Sequence, residues 1–366
     1  MPSSAISHRV RDLGVDIGVL RPGRLNAITD VSGVAVGHVT LHEGDAVRTG
    51  VTAILPHAGN LFQDKVPAGF AVGNGYGKFA GSTQVAELGE IEAPIILTNT
   101  LSVAEGIAGT VEWTLAQYGN TGVVSVNAVV GETNDGYLND IRGRHVTKQH
   151  VMDAIASAAS GPVAEGCVGA GTGTQAFGWK GGIGTSSRVL PPRLGAYAVG
   201  VLVQTNYGGV LSIGGAPIGK ELGRYYLRGS ADDEAGNGSV VIVVATDAPV
   251  SDRNLERMAR RAFLGIARTG SSIANGSGDY AVAFATATDV RRTAERRKAV
   301  ALIGDLSNDQ MSPLFQAVAE ATEEAVYNAM LQAVTTTGYR GHRLEALPYQ
   351  AVRDSLERHG LRTSLA

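Results

Sequence analysis

The stretch 229-GSADDEAGNGSVVIVVATDAP-249 changes character in its middle. Small and acidic residues end in Gly236-Asn237-Gly238, and Ser239 then opens the unbroken apolar run Val240 to Val244. A strand with one wet face alternates apolar and polar residues, whereas a run apolar at every position is covered on both faces. Residues 239–246 therefore read as a strand inside a stack of layers. The stretches 94-PIILTNT-100, 123-VVSVNAVV-130, 194-LGAYAVGVLVQTNYG-208, 210-VLSIGG-215 and 280-YAVAFATA-287 have the same β-like character.

Helical patterns lie between them. Ser102 with Glu105 three residues on is a capping-box pattern, opening a helix to about Tyr118. Residues 147-TKQHVMDAIASA-158 put Val151 and Ile155 on one helix face. A helix starting at Ser251 or Asp252 presents Leu255, Met258, Ala262 and Ile266 before Gly270. Ser312-Pro313, a favoured N-cap and N1 pair, starts another that carries Leu314, Val318, Ala321, Ala325 and Ala329. Pro348 opens a last short helix ending at Gly360, and residues 165–190 read as glycine-rich loop with short strand. Fully apolar strands alternating with one-faced helices predict a layered α/β sandwich.

A chain of 366 residues can bury a large core as one big α/β domain. Its formal charge of −3, from 31 basic and 34 acidic residues well mixed, leaves no basic stripe for a nucleic-acid backbone. The single cysteine, Cys167, excludes an internal disulfide and suits a reducing compartment. The N-terminal MPSSAISHRVRDLGV has no apolar h-region, so no signal peptide is expected, and no apolar run approaches the roughly 20 residues of a membrane span. A soluble cytoplasmic protein is the expectation. Glycine is the anomaly: 49 residues scattered among the strands, about twice the usual share near 7%. Many tight turns and close backbone approaches follow, as around a buried polar site.

Four segments carry candidate chemistry. At the seam, Ser239 fits an ordinary turn residue, and it also fits self-cleavage between Gly238 and Ser239. In the second case the hydroxyl attacks the preceding carbonyl, the acyl group shifts from nitrogen to oxygen, and water releases a new N-terminal serine. A glycine ahead of the nucleophile lets the backbone twist with least resistance. The product carries an α-amine beside the hydroxyl, with an intrinsic pKa of about 7.7–8.0, suited to act as a base near neutrality. In 275-NGSGDY-280, Ser277 and Asp279 stand at i and i+2 at a strand head, where period-two geometry points both the same way. Such a pair can orient a neighbouring hydroxyl and relay its proton, as an alternative base to the α-amine of Ser239, or it can cap a turn. Asn206, in 204-QTNYGG-209, ends a long buried strand, where its amide could donate to an oxyanion or close a turn. The loop 131-GETNDGYLND-140 offers Glu132 as a carboxylate for a substrate ammonium, or is a solvated turn.

Other features point away from cofactors. The run 169-GAGTGTQAFGWKGGIG-184 lacks the spacing of a phosphate-binding glycine loop. His38 and His42 are four apart in an apparent strand, not on a helix, so no metal site is expected. Cys167 reads as a small buried residue.

Together these segments resemble the L-aminopeptidase D-amidase/esterase and β-peptidyl aminopeptidase family of self-processing serine hydrolases. The likeness begins at 26-NAITDVSGVAVGHVTL-41 and continues through 49-TGVTAILP-56, 72-VGNGYGKFAG-81, 94-PIILTNTLSV-103 and GETNDGYLNDI. It goes on through 178-GWKGGIGTSSR-188, QTNYG, GNGS and NGSGDY. The resemblance implies a four-layer α/β/β/α sandwich, similar to amino-terminal nucleophile hydrolases but differently connected. It implies one domain over 1–366, cut between Gly238 and Ser239 into chains 1–238 and 239–366, and homo-oligomers of such pairs, often tetramers. Position by position, it makes Ser239 the nucleophile, Ser277 and Asp279 its supports, Asn206 the oxyanion donor and Glu132 the receiver of the substrate amine. Asp279 stands where some members carry glutamate. Asn134 stands where some carry tyrosine, with Tyr137 nearby, so all three of Glu132, Asn134 and Tyr137 are expected to line the substrate site. The implied activity removes N-terminal residues from short peptides, amides and esters through an acyl-enzyme, with no metal or organic cofactor. Acyl transfer of the ornithine acetyltransferase type is the alternative, though those enzymes use threonine at the seam; a non-catalytic binding protein on the same scaffold is a third.

Overall fold

The computed structural model describes residues 8–229 and 238–361. The acidic residues 230–237 ahead of the seam, and the first seven residues of the stretch read above for a leader, lie outside them. In chain order the main strands are β1 (Ala35–Glu43), β2 (Val47–Leu55), β3 (Asp64–Gly75), β4 (Phe79–Ala80), β5 (Ile95–Asn99), β6 (Val129–Thr133), β7 (Ile183–Val189), β8 (Ala198–Asn206), β9 (Ser239–Thr246) and β10 (Gly278–Ala285). The main helices are α1 (Val103–Leu115), α2 (Lys148–Ala156), α3 (Asp252–Arg268) and α4 (Met311–Leu331).

One sheet runs β1-β2-β5-β6-β4 and the other β7-β8-β9-β10-β3. The two stack face to face, α1 and α2 covering the first from outside and α3 and α4 the second. The layers are therefore α/β/β/α. β9 explains why its sequence has no polar face. Val240, Ile242 and Val244 pack against Leu255 and Met258 of α3 and Val318 of α4. Val241 and Val243 point the other way, among Ile54, Leu97 and Val129 of the first sheet. All five side chains are 0% exposed, and each such burial stabilises the fold by about 1.5–3 kcal/mol. Ser239 shares its parity with Val241 and Val243, so it faces the space between the sheets.

Several expected boundaries shift. Residues 123–128 are not a strand; Val124 is exposed and pairing starts only at Val129. The stretch 210–215 is also irregular, because Gly214 and Gly215 adopt φ of 59° and 98° and turn the chain away from pairing. α1 starts after Ser102 as expected, yet no capping box forms: the Ser102 hydroxyl is buried without a partner among the described residues, and Glu105 reaches Arg144 instead. α4 begins at Met311, so Ser312 lies inside its first turn rather than capping it. The continuous strand β7 was the least apparent, since 183-IGTSSRV-189 is polar. Its Ser186, Ser187 and Arg188 are nonetheless fully buried, satisfied by Asn26, Asp30, Glu320 and Glu324. Buried polar groups with complete partners are as much core as valines. No helix among the described residues is long and apolar enough to cross a membrane.

Candidate active site

Strand pairing assembles the site. β9 lies antiparallel to β8, with Ser239 opposite Asn206, and parallel to β10, with Ser239 beside Gly278. The end of β6, across the sandwich, brings Glu132 to the same region. Ser239, Asn206 and Glu132 line a cleft of ≈ 1330 Å³, together with Lys78, Asn134, Tyr137, Gln175 and Gly238.

Gly238 holds a backbone that other residues would resist. Its φ is +154°, and a Cβ there would sit 2.1 Å from the Asn206 carbonyl oxygen and 2.6 Å from the Tyr207 Cα. The Gly238 carbonyl accepts a hydrogen bond from the Gly278 N–H at 3.2 Å. The peptide bond ahead of Ser239 is thus pinned between two strands. Asn206 is 4% exposed. Its Oδ1 accepts from the Gln175 N–H at 3.1 Å, which turns the amide's NH2 end away from Gln175.

Ser277 donates its hydroxyl to Asp279 Oδ1 at 2.7 Å, and both side chains are buried. Burial pushes the Asp279 carboxyl up to about 6, against a partial pull back from the Ser277 hydroxyl and the Val240 amide. Its other oxygen is buried without a hydrogen-bond partner among the described residues. Glu132 is also buried, and Oε1 accepts from the Lys78 N–H at 2.9 Å and from Lys78 Nζ at 3.2 Å. Asn134 closes an Asx turn on the Gly136 N–H at 2.9 Å. The Tyr137 ring stacks on His342 with centroids 4.5 Å apart.

Outside the cleft, His38 lies 2.9 Å from the Thr52 hydroxyl, and burial lowers its pKa to about 4. No group of three or more metal-ligating side chains occurs among the described residues. Cys167 is half-buried rather than buried, its thiol against the Val334 carbonyl at 3.6 Å.

The sequence pattern of peptidase family S58 matches residues 26–344. The chain belongs to this family. Relatives agree along the whole length. This S58 chain is 42% identical over 377 aligned positions to the beta-peptidyl aminopeptidase BapA of Sphingosinicella microcystinivorans, covering 98% of this chain and 94% of that one. A solved beta-aminopeptidase from Burkholderia sp. superposes with a TM-score of 0.88 at 41% identity, over 97% of this chain and 100% of its own. The L-aminopeptidase D-Ala-esterase/amidase of Ochrobactrum anthropi superposes at 0.87 with 36% identity, over 97% and 99%. That structure is described as a prototype for the serine aminopeptidases and a new variant among the Ntn hydrolase fold. The S58 chain is accordingly a hydrolase and a serine aminopeptidase on that layered fold.

Reading the sequence alone missed Lys78, the cation on Glu132 in this S58 site. It stands inside the block 72-VGNGYGKFAG-81, and the one signal was an isolated charge among glycines and aromatics. It missed Gln175 as well, which acts through its backbone and carries no side-chain signature.

Proposed function

We propose that the chain cuts itself between Gly238 and Ser239, into 1–238 and 239–366, and that the exposed Ser239 is the nucleophile of an aminopeptidase. The observation that carries this reading is a glycine at φ +154°, its carbonyl held by the Gly278 N–H, directly ahead of a serine paired with Asn206. In the first reaction the Ser277–Asp279 pair takes up the hydroxyl proton as Ser239 Oγ attacks the Gly238 carbonyl carbon, and the Gly278 N–H already on that oxygen stabilises the developing charge. Collapse delivers that proton to the Ser239 nitrogen and breaks the C–N bond, leaving an ester on Ser239 and a free α-amine. Water hydrolyses the ester, and Gly238 departs as a carboxylate.

In the second reaction the same hydroxyl attacks the substrate carbonyl, passing its proton to the α-amine of Ser239. The NH2 of Asn206 donates to the oxyanion. The amine returns the proton to the leaving group, and water releases the acyl residue. Glu132 holds the substrate ammonium, and Asn134 and Tyr137 wall that end. Ser277 and Asp279 orient the amine of Ser239. Substrates of this class are short peptides, amides and esters with a free N-terminus. Intact mass after purification is expected to give two chains splitting at 238/239; a single full-length chain that hydrolyses substrate would defeat the proposal. The cleaved pairs are further proposed to form homo-oligomers, tetramers by family resemblance, in the cytoplasm.

Two expectations arise directly. Glu132→Gln leaves Lys78 uncompensated beside the substrate amine, so kcat/KM should fall about 30-fold, the worth of a charged hydrogen bond. Acylating the substrate N-terminus should abolish hydrolysis by wild type, and kinetics on the matched pair decides it. The second concerns Asp279 in the uncut chain. Because burial raises its pKa from 3.8 to about 6, ionisation disfavours the folded precursor. Precursor stability therefore declines as pH climbs through that window, while the orienting carboxylate appears. Freshly refolded precursor should cut itself faster as pH rises through about 6, and Asp279→Asn should flatten that limb. A processing rate independent of pH between 5 and 7 would remove Asp279 from the reaction.

A further inference from the structure

The cleft carries a charge that neither proposed reaction uses. Among the described residues, its charged lining consists of Lys78, Glu132, Arg224, Arg343 and Glu345. Two of the three cations are occupied. Lys78 pairs with Glu132 at 3.2 Å and donates to the Thr100 hydroxyl at 2.7 Å. Arg224 pairs with Glu345 at 2.6 Å, donates to the Gly178 carbonyl at 3.1 Å, and lies over the Trp179 ring, 5.3 Å from its centroid. Arg343 has no carboxylate within salt-bridge distance among the described residues. Both acids of the cleft are thus matched, and one guanidinium is left over.

That guanidinium is mounted on a fixed backbone. Arg343 and Leu344 pair antiparallel with Thr336 and Thr337, and Leu344 is buried beneath them. The preceding His342 is clamped on Tyr137 by ring stacking and a 2.8 Å contact from Nδ1 to the Tyr137 carbonyl. A guanidinium presents a planar fork that matches a carboxylate and repels an ammonium. It therefore cannot serve the amine end of an aminopeptidase substrate, which has its own carboxylate in Glu132. It suits the one anion that a peptide with free termini carries, its C-terminal carboxylate.

We propose that Arg343 is a specificity-determining residue that receives the free α-carboxylate of the residue released as leaving group, so that dipeptides with a free C-terminus are the preferred substrate class. This rests on the aminopeptidase reading of Ser239. A neutral amide or anilide leaving group makes no such pair, and an ammonium-bearing one is repelled.

The test compares a dipeptide with its C-terminal primary amide, both with free N-termini, at low ionic strength. For wild type, kcat/KM for the acid should exceed that for the amide by about two- to fivefold, the worth of one ion pair to an exposed guanidinium, chiefly through KM. Raising salt should shrink the ratio, since an open ion pair is screened. Arg343→Gln should bring the ratio to about one, and Arg343→Lys should retain part of it because charge remains without the fork. A wild-type ratio of one, or an Arg343→Gln enzyme that loses both substrates equally and keeps the ratio, overturns the proposal. Failure of the underlying Ser239 reading is separate, because it would show as hydrolysis of both substrates surviving in Ser239→Ala.

Discussion

Ser239→Ala yields one chain of full length on a denaturing gel and no turnover of any N-terminal substrate. The proposed self-cut and the proposed hydrolysis share one oxygen, so removing it stops both. Loss of such a nucleophile costs at least about 10⁴-fold in rate, which places the variant at background in an ordinary assay. Misfolding is not a competing explanation. The Ser239 side chain is small and 6% exposed, and its backbone is held by pairing on both sides. An unchanged far-ultraviolet dichroism spectrum establishes this for the purified variant. The appearance of two chains from Ser239→Ala would show that some other group does the cutting, and the whole mechanism would go with it.

Asn206→Ala is expected to lower kcat by about 10²–10³-fold with KM little changed, because the amide is used only once the oxyanion forms. Stability should drop by about 1–2 kcal/mol as well, since the Gln175 N–H loses its acceptor. Asn206→Asp separates the two effects. It keeps an oxygen for Gln175 but sets a negative charge against the oxyanion, so it should be the better folded and the less active variant. The self-cut is expected to suffer less than turnover in both, because the Gly238 carbonyl already takes the Gly278 N–H at 3.2 Å. Time courses of chain splitting and of substrate release on the same samples check this. A variant with wild-type kcat would remove Asn206 from the oxyanion site.

How far the primary structure discloses this arrangement differs by element, for physical reasons. β9 was readable because five consecutive fully buried aliphatic residues admit few other structures. The Ser277–Asp279 contact followed from strand periodicity, which needs only neighbours two apart. The juxtaposition of Ser239 with Asn206 is a matter of strand register, and pattern alone does not set register between segments 33 residues apart; the family resemblance supplied it. β7 stayed hidden because its core is made of hydroxyls and a guanidinium whose partners come from residues 26–30 and 320–324. The charge balance of the cleft was hidden too. Lys78, Arg224 and Arg343 come together only through tertiary structure.

If the proposed cut severs residue 238 from 239, the strand order β7-β8-β9-β10-β3 has a thermodynamic consequence. The two strands contributed by the downstream piece are wedged between β8 and β3 of the upstream one, so the second sheet is complete in neither fragment by itself. Reassembly from separated fragments would be a second-order encounter between aggregation-prone partners, where the precursor needed only to fold upon itself. The working lifetime of such a processed molecule would be governed by how slowly it opens, a kinetic durability inherited from a precursor to which it has no route back.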